Sequence, residues 1–379
     1  MANPLHILHL HSSFNHGGKE ARSVRLMNAF GDRARHTIVS GVPDALGARE
    51  QIEKGIRYQI GQDPPPLTGK PSVARYEAIA RYMRRFDLVL TYNWGAIDGV
   101  MAKRAFPKGA PPVVHHEDGF NEDKAERLNP LRNMYRRIAL PAAHALVVPS
   151  EVLKAIAKRA WHQPDGRVHL IGNGIPVERY GQPLNAHAIP GFRRRKDEVV
   201  IGTLAGFRAV KDLPTLVTAV AGLVHVKARL VLVGDGPERQ VIRDTIERLG
   251  MEDEVIMPGF LSEPWRYMGL FDIFALSSKS EQQPISVMEA MAAGLPVASF
   301  RVGDVATMVS DENAAVLPEY VHPVYLRDNI QRFAQDPALR HAVGSANQAR
   351  ARALFDESTM IRRYADLYAG AVGKPGILS

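Results

Sequence analysis

The fold of this chain is decided by the stretch SSKSEQQPISVMEAMAAGLPV, which occupies residues Ser277–Val297. It follows a short apolar run, Ile273–Leu276, and continues as a polar loop and a helix that starts at Ile285. Gly294 ends this helix, as glycine commonly does, and a second apolar run, Pro296–Ser299, comes next. A strand, a helix and a strand in this order form the unit from which helix-covered parallel sheets are built. The stretch therefore predicts an α/β domain.

The same alternation extends to both sides of this stretch. The other strands predicted in the second half are Val199–Leu204, Ala228–Val233, Val255–Met257 and Ala315–Leu317. The helices predicted between and after them are Pro214–Val224, Glu238–Leu249, Ile285–Ala293 and Pro323–Phe333. This series predicts one Rossmann-like domain over residues 199–354.

The first half of the chain repeats the pattern and predicts a second Rossmann-like domain over residues 1–178. Its predicted strands are His6–Leu10, His36–Val39, Leu88–Thr91, Pro112–His115, Ala145–Val148 and Val168–Ile171, with Lys19–Phe30 and Pro130–Leu140 among the helices. Ligands of open α/β sheets bind beyond the carboxyl ends of the strands, so two such domains predict one shared cleft.

Residues 179–198 contain proline, glycine and charge without periodicity, which indicates a linker between the two domains. Residues 355–379 contain Met360, Tyr364 and Leu367 on one helical face. We expect this terminal helix to pack back toward the first domain.

Composition excludes several classes of protein. The chain is 45% hydrophobic and 23% charged, as is ordinary for a globular protein, and no apolar run approaches the roughly 18 residues of a membrane span. The absence of cysteine excludes disulfides and cysteine-ligated zinc. The first residues lack the pattern of a signal peptide, so the expected location is the cytoplasm.

Positive charge is concentrated in the first half. Residues 1–175 contain 25 Lys or Arg and 16 Asp or Glu, an excess of nine, whereas residues 176–379 contain 23 and 24. Two interpretations stay open: a solvated basic face, or attraction to an anionic membrane surface or a diphosphate-bearing acceptor. No binding motif with interleaved aromatic residues accompanies the charge, so nucleic acid is not an expected partner.

Two carboxylates flank the helix start within the opening stretch. Glu281 lies in the loop and Glu289 inside the helix that follows Pro284. The first N–H groups of a helix and its dipole attract an anion, so the carboxylates could bind sugar hydroxyls around a bound diphosphate. The spacing equally allows Glu281 to cap the helix and Glu289 to be an exposed acid.

Five further motifs lie in order along the chain: Gly17-Gly18-Lys19-Glu20, Ile171-Gly172-Asn173-Gly174-Ile175, Gly206–Asp212 (GFRAVKD), Val231–Glu238 (VLVGDGPE) and Pro258-Gly259-Phe260. Together with Glu281-x7-Glu289 and the following AMAAGLPV, they resemble the family 4 glycosyltransferases, a retaining group 1 type with the GT-B fold. The resemblance implies two Rossmann-like domains with parallel sheets facing each other across a cleft. It also implies hexosyl transfer from a nucleotide-sugar donor without a metal or another cofactor.

The resemblance also implies roles for individual residues. Arg208 and Lys211 would hold the donor diphosphate, and two cations near a helix N-terminus do stabilise developing phosphate charge. Glu289 would bind the ribose hydroxyls, and Glu281 would contact the donor sugar. The backbone at Pro284, Ile285, Ser286 and Val287 would face the donor phosphates. Gly234 and Glu238 would lie near the edge of the nucleobase. Gly17 and Gly18 would allow the backbone to approach the donor closely. An exposed basic turn and a plain strand-to-helix turn are the open alternatives for the arginine–lysine pair and for the glycine pair.

The segment Val113–Phe120 (VVHHEDGF) should place polar side chains at the carboxyl end of a strand. The family has a histidine near the reacting sugar, which implies His115 or His116 as the donor-sugar contact and Asp118 as an alternative polar partner. Nearly consecutive ligands on one loop have poor geometry for a metal, so no metal site is expected. A purely structural loop stays open.

The segment Thr91–Gly95 (TYNWG) should also follow a strand. We expect it to line the acceptor side, with Asn93 binding hydroxyls and Trp94 stacking on a sugar face. A tight turn with a packed tryptophan is the alternative.

The sequence thus predicts transfer of a sugar from a UDP- or GDP-sugar to a saccharide or lipid-linked acceptor. The expected setting is bacterial-type surface polysaccharide or glycolipid synthesis, with the protein cytoplasmic or peripheral on the inner face of the cytoplasmic membrane. The chain departs from the family pattern at Gln282, Phe207 and Asp118, which leaves the sugar and the acceptor open.

Two other functions stay open. A nucleotide-sugar epimerase would need paired acid and base carboxylates and no acceptor. A non-catalytic nucleotide-sugar-binding scaffold would have lost donor residues, whereas Arg208, Lys211, Glu281 and Glu289 are all present.

Overall fold

The structure is a computed structural model that describes residues 3–119 and 129–379. The chain forms two compact units. Of the described residues, the first unit contains 3–119, 129–173 and 358–379, and the second contains 174–357. Each unit is a parallel sheet covered by helices, which confirms the predicted α/β fold of two Rossmann-like domains.

The first unit is built on a seven-stranded sheet with the order β3-β2-β1-β4-β5-β6-β7. Its strands are β1 (Leu5–His11), β2 (Ala34–Ser40), β3 (Tyr58–Ile60), β4 (Leu88–Tyr92), β5 (Val113–His116), β6 (Ala145–Val148) and β7 (Val168–Leu170). The helices that alternate with them are α1 (Gly18–Phe30), α2 (Val73–Met83), α3 (Asp98–Ala105), α4 (Pro130–Ala139) and α5 (Glu151–Arg159).

The second unit is built on a five-stranded sheet with the order β10-β9-β8-β11-β12. Its strands are β8 (Val199–Leu204), β9 (Ala228–Val233), β10 (Val255–Gly259), β11 (Ile273–Leu276) and β12 (Val297–Ser299). Its helices are α6 (Leu213–Ala221), α7 (Arg239–Arg248), α8 (Ile285–Ala292), α9 (Val305–Met308), α10 (Asp311–Ala314), α11 (Pro323–Gln335) and α12 (Pro337–Leu354). The last helix, α13 (Glu357–Ala371), carries the chain back into the first unit.

Helices cover both faces of the first sheet. Leu8, Val89 and Val100 belong to a core on one face, together with residues of α2 and α5. Leu5 and Ile7 belong to a core on the other face, together with residues of α1 and α13. The buried side chains of α13 include Met360, Tyr364 and Tyr368, so the C-terminal tail is an integral part of the first unit.

Two segments differ from their sequence predictions. Ala315–Leu317, predicted as a strand, is a turn in which Val316 and Leu317 donate backbone hydrogen bonds to residues three positions earlier. These local bonds satisfy the backbone without a sheet partner, so apolar character alone gave the wrong prediction. Residues 179–198, predicted as a linker, lie in the second unit with Ile189 and Phe192 buried in its core. Their apolar residues are irregularly spaced, which leaves no periodicity to detect.

Each sheet changes winding direction at one position, and ligands of such sheets bind there. The change falls between β1 and β4 in the first unit and between β8 and β11 in the second. The loops after these four strands are therefore where a site is expected. In the part of the chain that the structure describes, no helix has both the length and the apolarity of a membrane span.

Candidate functional site

In the second unit, the loop after β8 and the loop after β11 are joined by an ion pair. Lys211 Nζ lies 2.5 Å from Glu281 Oε1, with the two side chains 16% and 10% exposed. Ser277 Oγ donates a 2.9 Å hydrogen bond to the Lys211 carbonyl, and the Lys279 N–H donates one of 2.9 Å to the Val210 carbonyl. The two halves of the winding change are thus held together through both backbone and side chains.

The turn that carries Lys211 is fixed by the residue that follows it. Asp212 has a left-handed backbone (φ 45°) and accepts a 2.9 Å hydrogen bond from Thr215 Oγ1 in α6. Arg208 precedes the turn and is exposed. An exposed cation and a cation held in an ion pair therefore lie within four residues of each other.

Helix α8 begins directly after Glu281's loop. Pro284 occupies its N-cap and makes no side-chain capping hydrogen bond, so the N–H groups of Ile285 and Ser286 lie at an uncapped helix start. Farther along α8, burial and the nearby Glu289 carboxylate raise the pKa of Tyr267. Glu289 itself is half-buried.

The loop after β9 packs against the loop after β8 so closely that two glycines are required. A Cβ on Gly234 (φ 138°) would overlap the Ala205 carbonyl oxygen, and one on Gly236 (φ 157°) would lie 2.5 Å from the Phe207 carbonyl oxygen. The Glu238 N–H donates a 3.0 Å hydrogen bond to the same Phe207 carbonyl. The loop at 234–238 is thus positioned by main-chain contacts.

The predicted donor-binding residues of the second unit all lie at one edge of its sheet, because parallel strands β8, β9 and β11 end there. This edge combines Arg208, Lys211 and the N-terminus of α8, which are the components of an anion site. The carboxylates of Glu281 and Glu289 can accept hydrogen bonds from hydroxyl groups. Within the described residues, the buried Ser278 hydroxyl has no hydrogen-bond partner.

In the first unit, the two histidines at the end of β5 are both buried and have different partners. His115 Nδ1 is hydrogen-bonded to Thr91 Oγ1 at 2.7 Å, and its Nε2 lies 3.6 Å from Glu117 Oε2. His116 Nε2 is hydrogen-bonded to Tyr368 Oη of α13 at 2.7 Å. Burial holds the pKa of His116 well below its usual range, so its ring is neutral. Phe120, the last residue of the predicted segment, lies outside the described residues.

Glu117, which the sequence did not single out, is the anchor of this loop. Arg136 of α4 donates two hydrogen bonds to its carboxylate, at 2.9 and 3.0 Å. Although burial opposes ionisation, Arg136 and His115 hold the pKa of Glu117 below its usual range. Because Glu117 lies between two histidines and an aspartate, the sequence alone did not distinguish its role from the roles of its neighbours.

Asp118 is paired with an arginine of α1. Arg22 Nη1 lies 2.5 Å from Asp118 Oδ1 and donates a 3.2 Å hydrogen bond to Asn173 Oδ1. The second oxygen, Asp118 Oδ2, is buried and has no hydrogen-bond partner among the described residues. Arg22 was missed in the sequence, although its spacing from Leu26 and Phe30 placed it on the buried face of α1.

The segments that follow β1 and β4, at the winding change of the first sheet, contain the predicted glycine pair, Asn93 and Trp94. The Gly17 position caps α1, and a Cβ there would lie 2.6 Å from Glu20 Oε2. Gly18 begins the helix and is exposed. Asn93 uses its side-chain oxygen to accept the Asp118 N–H at 2.7 Å. Trp94 is half-buried, with the guanidinium groups of Arg132 and Arg136 4.9 and 5.1 Å from its ring.

Aromatic rings stack behind this edge. His11 lies 4.0 Å from Tyr92 and Tyr92 lies 4.6 Å from His116, measured between ring centroids. His9 Nε2 is hydrogen-bonded to His36 Nδ1 at 3.0 Å. Burial lowers the pKa of His9 and His11 well below the usual range and that of His36 to about 4. In residues 3–119 and 129–379, no group of three or more histidine, aspartate or glutamate side chains is placed to hold a metal ion.

Two family descriptions match the chain, one in each half. Residues 16–179 match "Glycosyltransferase Family 4", and residues 188–350 match "Glycosyl transferases group 1". Together, the two matches cover the motifs from which the resemblance was inferred.

Individual relatives agree with these matches. The chain is 33% identical over 342 residues to 2-deoxystreptamine N-acetyl-D-glucosaminyltransferase of Streptomyces fradiae, covering 79% of this chain and 78% of the relative. It is 28% identical over 178 residues to the lipopolysaccharide core biosynthesis glycosyltransferase LpsD of Rhizobium meliloti, 47% of this chain and 51% of LpsD. The chain spans about half the length of several curated relatives that it matches.

Among solved structures, the Anabaena protein Alr3699/HepE in complex with UDP and glucose has the same fold. Its TM-score is 0.78 at 20% sequence identity, and the superposition covers 97% of this chain and all of the Anabaena chain. The predicted resemblance is therefore confirmed: the chain belongs to the group 1, family 4 glycosyltransferases with the GT-B fold.

Proposed function

We propose that this protein transfers a sugar, with retention of anomeric configuration, from a nucleotide-sugar donor to a saccharide or lipid-linked acceptor. A UDP-sugar is the first donor to test, because the Anabaena structure contains UDP and glucose. We further propose that the acceptor belongs to surface polysaccharide or glycolipid synthesis, as the name of LpsD suggests for that relative. The proposed location is the cytoplasm or the inner face of the cytoplasmic membrane.

The observation that carries this proposal is the Lys211–Glu281 ion pair beside the start of α8. A diphosphate at the helix start would meet backbone N–H groups, Lys211 and the exposed side chain of Arg208. These groups would neutralise the charge that develops on the leaving diphosphate, which is the role that we propose in place of a metal. Glu281, already beside Lys211, would contact the donor sugar.

In the proposed reaction, the bond between the anomeric carbon and the diphosphate oxygen breaks, and a bond from that carbon to an acceptor oxygen forms. The nucleoside diphosphate leaves with the bonding electrons. In a front-face displacement, the leaving phosphate oxygen accepts the acceptor's proton. This route needs no separate catalytic base.

The first experiment is a donor screen with the purified chain. UDP-, GDP- and ADP-sugars are each added with EDTA and without acceptor, and both the thermal shift and the release of nucleoside diphosphate are measured. We expect one donor to stabilise the protein and to be hydrolysed slowly. A response that requires a divalent metal, or no response to any donor, would contradict the proposal.

Variants connect the response to the site. Lys211→Met and Arg208→Ala should each reduce diphosphate release by about 10²–10³-fold, the usual effect of removing one group that stabilises transition-state charge. Glu281→Gln should keep the thermal shift with the nucleoside diphosphate alone and lose the release of diphosphate from the nucleotide sugar. Arg243→Ala removes an exposed cation from α7 of the same unit and should change neither measurement.

Conversion of the donor sugar to its epimer would favour the epimerase, and stable binding without turnover would favour the scaffold.

A further inference from the structure

We propose that the outward face of α4 is a docking surface for an anionic lipid bilayer. The surface consists of Leu131, Met134 and Ile138, whose exposed fractions are 72%, 52% and 44%. Their spacing of three and four residues places them in one stripe along the helix. The inference deepens the membrane location proposed above, but it is argued from the first unit alone and is tested separately from sugar transfer.

The polarity of α4 is inverted relative to an ordinary surface helix. Three of its polar side chains are bonded to the protein. Arg136 is bound to Glu117, and Asn133 accepts a 3.0 Å hydrogen bond from Trp161 Nε1. Tyr135 is hydrogen-bonded to Asp98 and, at 2.8 Å, to Tyr76. Surface helices normally place their apolar stripe against the core and their polar residues in water.

Because of this inversion, the apolar stripe of α4 is exposed to water, where apolar side chains are unfavourable. The hydrogen bonds and ion pairs of the inward face attach α4 to the protein, whereas the outward residues leave 44% to 72% of their surface exposed. Leucine, methionine and isoleucine at three consecutive outward positions form a continuous apolar strip. A helix with such a strip can lie in the plane of a bilayer interface, with its apolar residues among the acyl chains.

Positive charge around the stripe identifies the kind of surface. Arg137, also exposed on α4, donates a 2.8 Å hydrogen bond to the Ala160 carbonyl, so the end of α5 lies beside the helix. The last turn of α5 has the exposed Arg159, and α3, which packs against α4, has the exposed Arg104. Cations at the rim of an apolar strip fit anionic headgroups, whereas they would repel the same face of a second copy.

The test is flotation of the full chain with vesicles. One set contains only phosphatidylcholine, and the other contains about 30% phosphatidylglycerol. We expect binding to the anionic vesicles, at least about tenfold less binding to the neutral ones, and a loss of binding at high salt because the Debye length shortens. The triple variant Leu131→Ser, Met134→Ser and Ile138→Ser should lose at least about tenfold in binding to the anionic vesicles.

The matched control places the same number of serines on exposed apolar positions of the second unit, at Val224, Val241 and Val324. It should bind as the unsubstituted chain does. Circular dichroism and donor hydrolysis without acceptor are measured on both variants, since a folded, hydrolytically active variant that fails to bind isolates the surface. Failure of the unsubstituted chain to bind, or unchanged binding by the α4 variant, would overturn the proposal. Dimerisation in sedimentation velocity that only the α4 variant abolishes, without vesicle binding, would also overturn it.

Discussion

At the scale of single residues, the buried Arg22 connects several segments of the first unit. It pairs with Asp118 of the loop after β5, donates to Asn173 after β7, and lies 5.6 Å from the Tyr364 ring of α13. Three segments distant in sequence thus meet on one side chain. The Arg22 side chain therefore holds Asp118 in position.

Replacement of Arg22 tests this contact. Arg22→Ala would leave Asp118 as a buried carboxylate without its cation, and removal of one partner of a buried pair typically costs about 3–5 kcal/mol. We expect that loss in the unfolding free energy of the first unit, measured by urea denaturation. Arg35→Ala, which removes an exposed arginine from β2, should change it by no more than about 0.5 kcal/mol. Equal effects of the two variants would show that the pair contributes nothing specific.

At the scale of elements, α12 packs against the end of α8 through a contact between two glycines. A Cβ on Gly344 of α12 would overlap the carbonyl oxygen of Gly294. Gly294 has a positive φ of 76° and ends the helix that carries Glu289. Because a side chain at position 344 would collide with Gly294, the position of α8 and of its N-terminus depends on glycine at position 344.

Replacement of a helical glycine by alanine usually stabilises a protein, but at Gly344 we expect the opposite effect. Gly344→Ala should destabilise the second unit by about 1–3 kcal/mol, because the added methyl group forces two packed elements apart. Gly370→Ala in α13, where a Cβ meets nothing within 4 Å, should instead stabilise the protein by about 0.5–1 kcal/mol. Thermal unfolding of the two variants measures both values. Stabilisation by Gly344→Ala would show that the close contact does not exist.

At the scale of the whole molecule, buried histidines are distributed unequally between the two units. His9, His11, His36 and His116 are buried in the first unit, and burial lowers the pKa of each. The described histidines of the second unit, such as His225 and His341, are exposed. The two units should therefore respond differently to acid.

The sign follows from proton binding. Below pH about 6.5 the unfolded chain protonates these histidines while the folded unit does not, so acid favours unfolding. The unfolding free energy of the first unit should fall from pH 6.5 toward 4, by up to about 1.36 kcal/mol per pH unit for each histidine. Calorimetry at several pH values should show a larger decrease in Tm for the first unit. His225→Ala and His341→Ala should leave its pH dependence unchanged, and an equal decrease in both units would contradict the prediction.

The sequence by itself determined the alternation of strands and helices and the residues at the carboxyl edge of the second sheet. Both are local: the apolar runs Ile273–Leu276 and Ala228–Val233 form strands at the predicted residues, and Glu281, Pro284 and Glu289 lie where their spacing around one helix start puts them. Periodicity over a few residues reports such features, because the hydrogen bonds of a helix and the pleat of a strand repeat at short intervals.

Only the tertiary structure decided which distant residues meet. His116 is hydrogen-bonded to Tyr368, 252 residues later, and Arg22 pairs with Asp118, 96 residues later. The same holds for residues 179–198, which join the second unit through Ile189 and Phe192, and for the outward stripe of α4. Which face of an amphipathic helix turns inward depends on the partners that the fold brings to it. For α4 those partners are Glu117, Asp98 and Trp161, which select its polar face and leave the apolar one outside.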